Sequence, residues 1–587
     1  MNHLSQRVLG EPEQARRPNR RLAGRLAVGM VVTALAVTGL AMPSPAVADN
    51  GSVSLVRDSV AGATSSSPRG LTRFGSKIFY SSFTSTSGRE PWITDGTAAG
   101  THLIKDIWPG ANAGVTAYDY VPMGGAIYFV ASDGVHGQEL WRSDGTAAGT
   151  RMVKDIYPGP DGSAIYELGV MGGKLYFGAR TPAEGREFWT SDGTAAGTQL
   201  VKDIVPGAEL SGPNDFVTLG SLVVFTAYTP TTGIELWASN GTADGTYLVA
   251  DISPGTTSST PRDLVAGSSV VYFSAETSTW GQELWKFSPA GGAQMVSDIS
   301  PGTPWSVPQR LFVRNDRVFF TALGGALAVD VWTSDGTAAG TKSLGIFDNN
   351  DPGVVTAFYA APGGKVMFPV SDGVHGQELW QSDGSVAGTA MVKDINPGVN
   401  PSYSSDPTIA LGRVFFGASD GVRGRELWTT TGTTGSTVLE HEFIPGSAPL
   451  GPNDGPQELT YLPGQLIFGV DDGVHGYELW KLVFPDNRFT LPKKAKKNTK
   501  RGWVTVRVTV PGPGVLRRGP AAGSPIRKAT TSVAARGVVK VRVKLTKKGL
   551  RKLRREGQLR LKVKFTYTPT SGQALAKVKR YRFRIVG

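Results

Sequence analysis

Three histidines occupy one recurring pentapeptide, Asp-Gly-Val-His-Gly: His136, His375 and His475. Imidazoles at a repeated spacing suggest a metal site, but a metal needs its donors within about 2 Å of one ion. These three stand on separate, non-neighbouring copies of a repeat and are not expected to converge. A second recurring group is the carboxylate of Asp-Gly-Thr, at Asp95, Asp144, Asp192, Asp335 and Asp383, with Asn240 as a substitute. One carboxylate per turn is too little for calcium, which takes about six to eight oxygens. Asp and Asn also close turns on their own backbone, so hairpin chemistry is the expected role. The segment Phe347 to Gly353 (FDNNDPG), with Asp348, Asn350 and Asp351, is the better local calcium candidate. No metal or other cofactor is expected for the chain as a whole.

No catalytic residue is assigned. The chain has no GxSxG elbow, no HExxH, no P-loop and no GxGxxG after a strand. It has no cysteine, which removes thiol nucleophiles, thiolate ligands and disulfides together. Carboxylates are plentiful, so a glycosidase pair contributed by two copies of the repeat stays open. Aromatic residues offer binding chemistry instead. Trp108, Trp280 and Trp305 lie in loops outside the repeated phrase, and Tyr157 takes the Trp108 position one copy later. Such rings either stack on a sugar or a protein partner, or fold down as plugs on their own loops.

The elements that position these residues come from the repeat. Trp92, Trp141, Trp189, Trp237, Trp285, Trp332, Trp380, Trp428 and Trp480 recur at gaps of 47 to 52 residues. Within one period, Ile165 to Met171, Lys174 to Arg180, Arg186 to Ser191 and Thr198 to Ile204 form four apolar stretches split by Gly, Pro and Asp. Four short strands per unit at this period predict propeller blades. Pairing Ser143 with Thr150 across the DGTAAG turn sets Trp141 opposite Met152 and Glu139 opposite Lys154. The same register predicts Glu90–Lys105, Glu187–Lys202 and Glu378–Lys393 pairs. The body starts on a fourth strand, Ser54 to Asp58, and ends on a third, Tyr477 to Val483. An all-β propeller of about nine four-stranded blades, closed by the N-terminal strand, follows.

The phrase ELW-x-SDGT-AAGT-x-x-V-K-D-I-x-P-G resembles the ELWxxDGT repeat family of bacterial secreted proteins, from Ser54 to Val483. That resemblance implies an extracellular, propeller-like module and no particular activity. Copies five, six, seven and eight depart from it, at Lys286 to Pro289, Asp330-Val331, Leu344 to Asp348 and Thr430 to Thr433.

The ends differ from the body. Arg16 to Arg25, an apolar run from Leu26 to Ala41 and Ala46-Val47-Ala48 have the form of a cleavable export signal over 1–48. The body, 49–485, is acidic. The segment 486–587 carries 30 Lys/Arg against 2 Asp/Glu. Its first part, 486–502, is expected to be a basic linker. Alternating runs such as Val539 to Leu545 and Leu559 to Tyr567 predict a small Ig-like β-sandwich over 503–587, apolar inside and cationic outside. Lys540, Arg542, Lys544, Arg560, Lys562 and Lys564 are the expected polyanion contacts. Anionic cell-wall polymers or acidic polysaccharide are the expected partners of this tail, with docking on the acidic ring as a second option. Neither nucleic acid nor a stable membrane span is expected. Together these features predict a secreted, non-catalytic protein that binds an extracellular glycan or protein and is held at the cell envelope. The alternative is a propeller-type polysaccharide hydrolase or lyase.

Overall fold

The computed structural model describes residues 51–584, except 116–118, 302–304, 325–328, 347–354, 446–454, 499–502, 522 and 570–573. Asp348, Asn350, Asp351 and the 1–48 segment lie outside the described residues. Nine four-stranded antiparallel sheets fill the repeat region, each a meander in which the first strand of the unit lies innermost. The first blade runs Arg69–Phe74, Lys77–Thr84, Gly88–Thr94 and His102–Leu103 from axis to rim. The ninth combines Gln457–Leu462, Gln465–Asp471 and Tyr477–Val483 with the N-terminal strand Ser52–Arg57, which supplies its rim. The first and last strands of the repeat body therefore share one sheet, as the phase of the repeat predicts.

Blades are stable only as neighbours. The second strand Lys174–Thr181 has five consecutive buried residues, because both of its faces meet another blade. Each repeated tryptophan fills such a junction. Trp141 packs with Phe79 and Ile93 of the preceding blade, and Trp92 with Leu462 and Ile467 of the ninth. The predicted pairing of Trp141 with Met152 is found, and the same register sets Trp92, Trp189, Trp237 and Trp380 opposite Leu103, Leu200, Leu248 and Met391.

The predicted Glu–Lys pairs do not form. A bulge after Leu140 sets Lys154 opposite Leu140, and one after Phe188 sets Lys202 opposite Phe188. Glu139 is fully buried and accepts the backbone N–H groups of Ile156 and Tyr157, 3.1 Å each. Glu90 likewise holds Ile107, Trp108 and Gly114. Lys105 reaches the next blade instead, donating to the Thr150 carbonyl at 3.0 Å and lying 5.7 Å from the Trp141 ring centre. A carboxylate is cheaper to bury against several amides than beside one mobile ammonium, and the bulge separates the two roles.

The turns follow the expected chemistry. Asp144 Oδ1 accepts from the Thr146 amide at 2.9 Å and its hydroxyl at 2.7 Å. A Cβ on Gly149 would stand 2.0 Å from Asp144 Oδ1, so glycine is required where the chain returns across the turn.

The C-terminal region pairs a three-stranded sheet with a four-stranded one around a core that includes Val506, Val541, Phe565 and Tyr567. The helix Lys547–Glu556 connects the sheets, capped by Thr546. The 486–502 segment is more than a linker. Phe489 is buried in the sandwich core, and Lys496–Asn498 adds a strand beside Trp503–Val510. Among the described residues, no helix is long and apolar enough to cross a membrane.

Candidate functional site: the axial mouth of the ring

The innermost strand of a blade has one edge at the ring axis, and its first residues set what the axis presents. In six blades this strand opens with a bulge, for example between the pairs Asn214–Thr226 and Val217–Val224. The extra residue takes a left-handed backbone: Asp215 at φ 56°, Asp263 at 54°, Arg310 at 57°, Asp406 at 51° and Glu458 at 59°. Left-handed backbone in residues other than glycine is uncommon, and a local interaction has to hold it. Here the carboxylate of one blade takes the backbone N–H of the next. Glu167 Oε2 accepts from Asp215 at 2.8 Å, Asp263 Oδ2 from Arg310 at 3.1 Å, and Glu458 Oε2 from Leu71 at 2.9 Å. The last link crosses the closure of the ring.

Four carboxylates on consecutive blades, Asp119, Glu167, Asp215 and Asp263, line one open cavity of about 520 Å³, with Val121, Leu168, Val217 and Leu264 between them. Burial, then the neighbouring Glu167, push the Asp215 carboxyl above its ordinary range. The collar is thus crowded with negative charge beside apolar wall. These residues escaped the sequence reading because they vary in type and lie outside the repeated phrase. Their spacing of 48 residues was the available signal.

The expected aromatic residues do not line this cavity. Trp280 and Trp305 are 43% and 50% exposed. They are neighbours, because the Trp305 indole lies on Gly281, where a Cβ would meet Cδ1 at 2.5 Å. Trp108 folds onto Gly134 of the next blade, and the Arg180 guanidinium stands 4.6 Å from the Tyr157 ring centre. His136, His375 and His475 each bond the aspartate of their own turn at 2.8 Å. Among the described residues, no three His, Asp or Glu side chains are grouped to hold a metal. The six cationic candidates of the sandwich, Lys540, Arg542, Lys544, Arg560, Lys562 and Lys564, are all exposed on the outward faces of its sheets.

No protein-family model matches the chain, and no curated protein matches it in sequence. Solved structures do resemble it in fold. A puromycin hydrolase is 13% identical with a TM-score of 0.35, over 73% of this chain and 62% of its own. A prolyl endopeptidase is 12% identical with a TM-score of 0.33, over 67% and 54%. The β-propeller domain of the Trilobed protease from Pyrococcus furiosus is 8% identical with a TM-score of 0.27, over 55% and 96%. The chain thus spans less than two thirds of the hydrolase chains it resembles. At these identities the likeness concerns the fold alone. It still corrects the functional expectation. The solved structures it resembles include peptidases, and the expectation of a non-catalytic binder is withdrawn without any activity being carried to this chain.

Proposed function

We propose that the axial mouth of the ring binds an organic cation, an ammonium or guanidinium on a short hydrocarbon stem. The observation that carries this is the lining of one cavity by Asp119, Glu167, Asp215 and Asp263. A cleft lined by one sign of charge concentrates the opposite charge. The intervening Val121, Leu168, Val217 and Leu264 favour a ligand with methylene groups over a bare ion. Glu167 and Asp263 already hold backbone amides through one oxygen each, which suits hydrogen bonding to an ammonium better than a full metal shell. Spermidine is a suitable first probe, titrated calorimetrically. The variant carrying Glu167→Gln and Asp215→Asn keeps the side-chain shapes and should lose at least tenfold in affinity. Equal binding by this variant and the parent would overturn the proposal.

The motif itself supports assignment of the repeat to the ELWxxDGT family. The Ala46-Val47-Ala48 site likewise supports export with cleavage before Asp49. N-terminal sequencing of protein recovered outside the cells tests the second point, and an intact Met1 start would refute it.

A further inference from the structure

The outer faces of the C-terminal sandwich place like charges directly opposite one another. Arg560 pairs with Arg582 and Lys562 with Arg580 across one strand pair, and Arg507 with Lys540 on the other sheet. All six are exposed. Directly opposed like charges destabilise a sheet, and among the described residues no ion pair offsets them. The segment has only two acidic residues, Asp486 and Glu556, and each pairs with an arginine close in sequence. The cations also converge. Lys493, Lys494, Arg560, Arg580 and Arg582 line one cleft of about 580 Å³, with no carboxylate among its lining residues.

We infer that this cleft and the arginine ladder beside it dock a linear polyanion with a saturated backbone carrying sulfate or phosphate esters. Residues two apart on a strand are separated by about 6.6 Å and neighbouring strands by about 4.8 Å. The ladder is therefore a lattice of cations at the spacing of successive anionic groups on an extended polymer. Two rival occupants fit less well. Single-stranded nucleic acid is held on exposed aromatic rings. Phe489, Phe565, Tyr567 and Phe583 are buried, Tyr581 lines the cleft but is only 4% exposed, and the Trp503 ring is covered by Arg542 and Lys544 at 5.5 and 5.7 Å. A bilayer surface favours one cationic face with apolar side chains to insert. Here both outer faces and the helix are cationic, and among the described residues of the domain the exposed large apolar side chains are two valines, Val538 and Val578.

The test uses the full chain with dextran sulfate as ligand, titrated across a salt series. The triple variant Arg560→Gln, Arg580→Gln, Arg582→Gln should bind at least tenfold more weakly at about 0.15 M salt. Its dependence of log affinity on log salt should flatten by about 2, at about 0.7 for each contact removed. The single variant Arg580→Gln should flatten it by about a third of that, which keeps the test valid if the triple variant misfolds. A helix variant, Lys547→Gln, Arg551→Gln, Arg554→Gln, removes the same charge from a separate cleft and should cost less than half as much. Equal losses from the two trios would show diffuse attraction and overturn the site. So would tighter binding, at equal charge, to polyuridylate or to phosphatidylglycerol vesicles.

Discussion

Lys154 Nζ lies 5.5 Å from the centre of the Trp189 ring, one blade further round the ring. Its ammonium also donates to the Thr198 carbonyl at 2.9 Å, beside the next hairpin turn. Lys105 with Trp141 and Lys393 with Trp428 repeat the arrangement, and Arg57 with Trp92 repeats it across the closure. The lysine of the repeated Lys-Asp-Ile thus links one blade to the next. A cation over an indole contributes about 0.5–2 kcal/mol depending on desolvation. Lys154→Met should lower stability by about 1 kcal/mol. A urea double-mutant cycle with Trp189→Phe should show coupling, and additive losses would refute the link.

Glu139 is a clamp on the loop that follows its hairpin. Glu139→Ala leaves the buried amide of Ile156 and the part-buried amide of Tyr157 without their acceptor, at about 1–3 kcal/mol for the buried group and less for the other. Hydrogen exchange at those two amides should accelerate before that of the strand Ala126–Ser132. Uniform acceleration across the blade would mean that the carboxylate has no local role.

The same burial gives the ring a pH response. Desolvation outweighs the donated hydrogen bonds and raises Glu378 to about 8, and Glu90, Glu139, Glu283 and Glu426 to about 7, from 4.5. The folded chain therefore keeps protons that the unfolded chain releases above 4.5. The stability tied to those protons is fully present below that value and is lost as pH rises through 7 to 8. Melting temperature should fall from about pH 5 to about pH 8 and level off above, and fall less in Glu378→Gln. A flat or rising profile would contradict this assignment. The turn aspartates act in the opposite sense, since hydrogen bonds from Thr146 hold Asp144 below its ordinary range and its contribution is lost only in acid.

Periodicity carried the architecture because each blade must bury the same faces in the same order. Trp141 and Met152 were legible as partners for that reason, and so was the shared ninth sheet. The Glu139–Lys154 pair was expected and does not form, because a one-residue bulge is silent in the hydrophobic pattern yet moves every later partner. The axial collar was not legible either. Asp119, Glu167, Asp215 and Asp263 repeat in position and charge but in no fixed residue type, and only the ring brings them to one cavity. The sandwich strands were visible in their alternation, whereas the opposition of Arg560 and Arg582 required the register.

Asp144→Ala should remove the acceptor of the Thr146 amide and hydroxyl and cost about 1 kcal/mol, the usual size of such a local cap. Asp144→Asn should cost much less, because Asn240 makes the same two bonds to Thr242 in its own copy. A chelator should leave the melting temperature of the parent unchanged. A drop on chelation, or equal losses in the two variants, would restore a metal role for these turns.

Closure is the last quantity that can be tested directly. Ser52–Arg57 contributes the rim strand of the ninth blade through pairs such as Leu55 with Trp480, and Val56 is 4% exposed in the junction with the first blade. Val56→Asp buries an unpaired carboxylate at that junction, among the few changes that cost more than about 4 kcal/mol. Because the ring has one seam, the damage should spread from it. Limited proteolysis should cut first near the ninth and first blades, while Leu175 and Phe177, on the third blade, stay protected in hydrogen exchange. Val56→Ala gives a milder variant with the same predicted order of loss. Cleavage that begins elsewhere would show that the N-terminal strand decorates the ring without holding it shut.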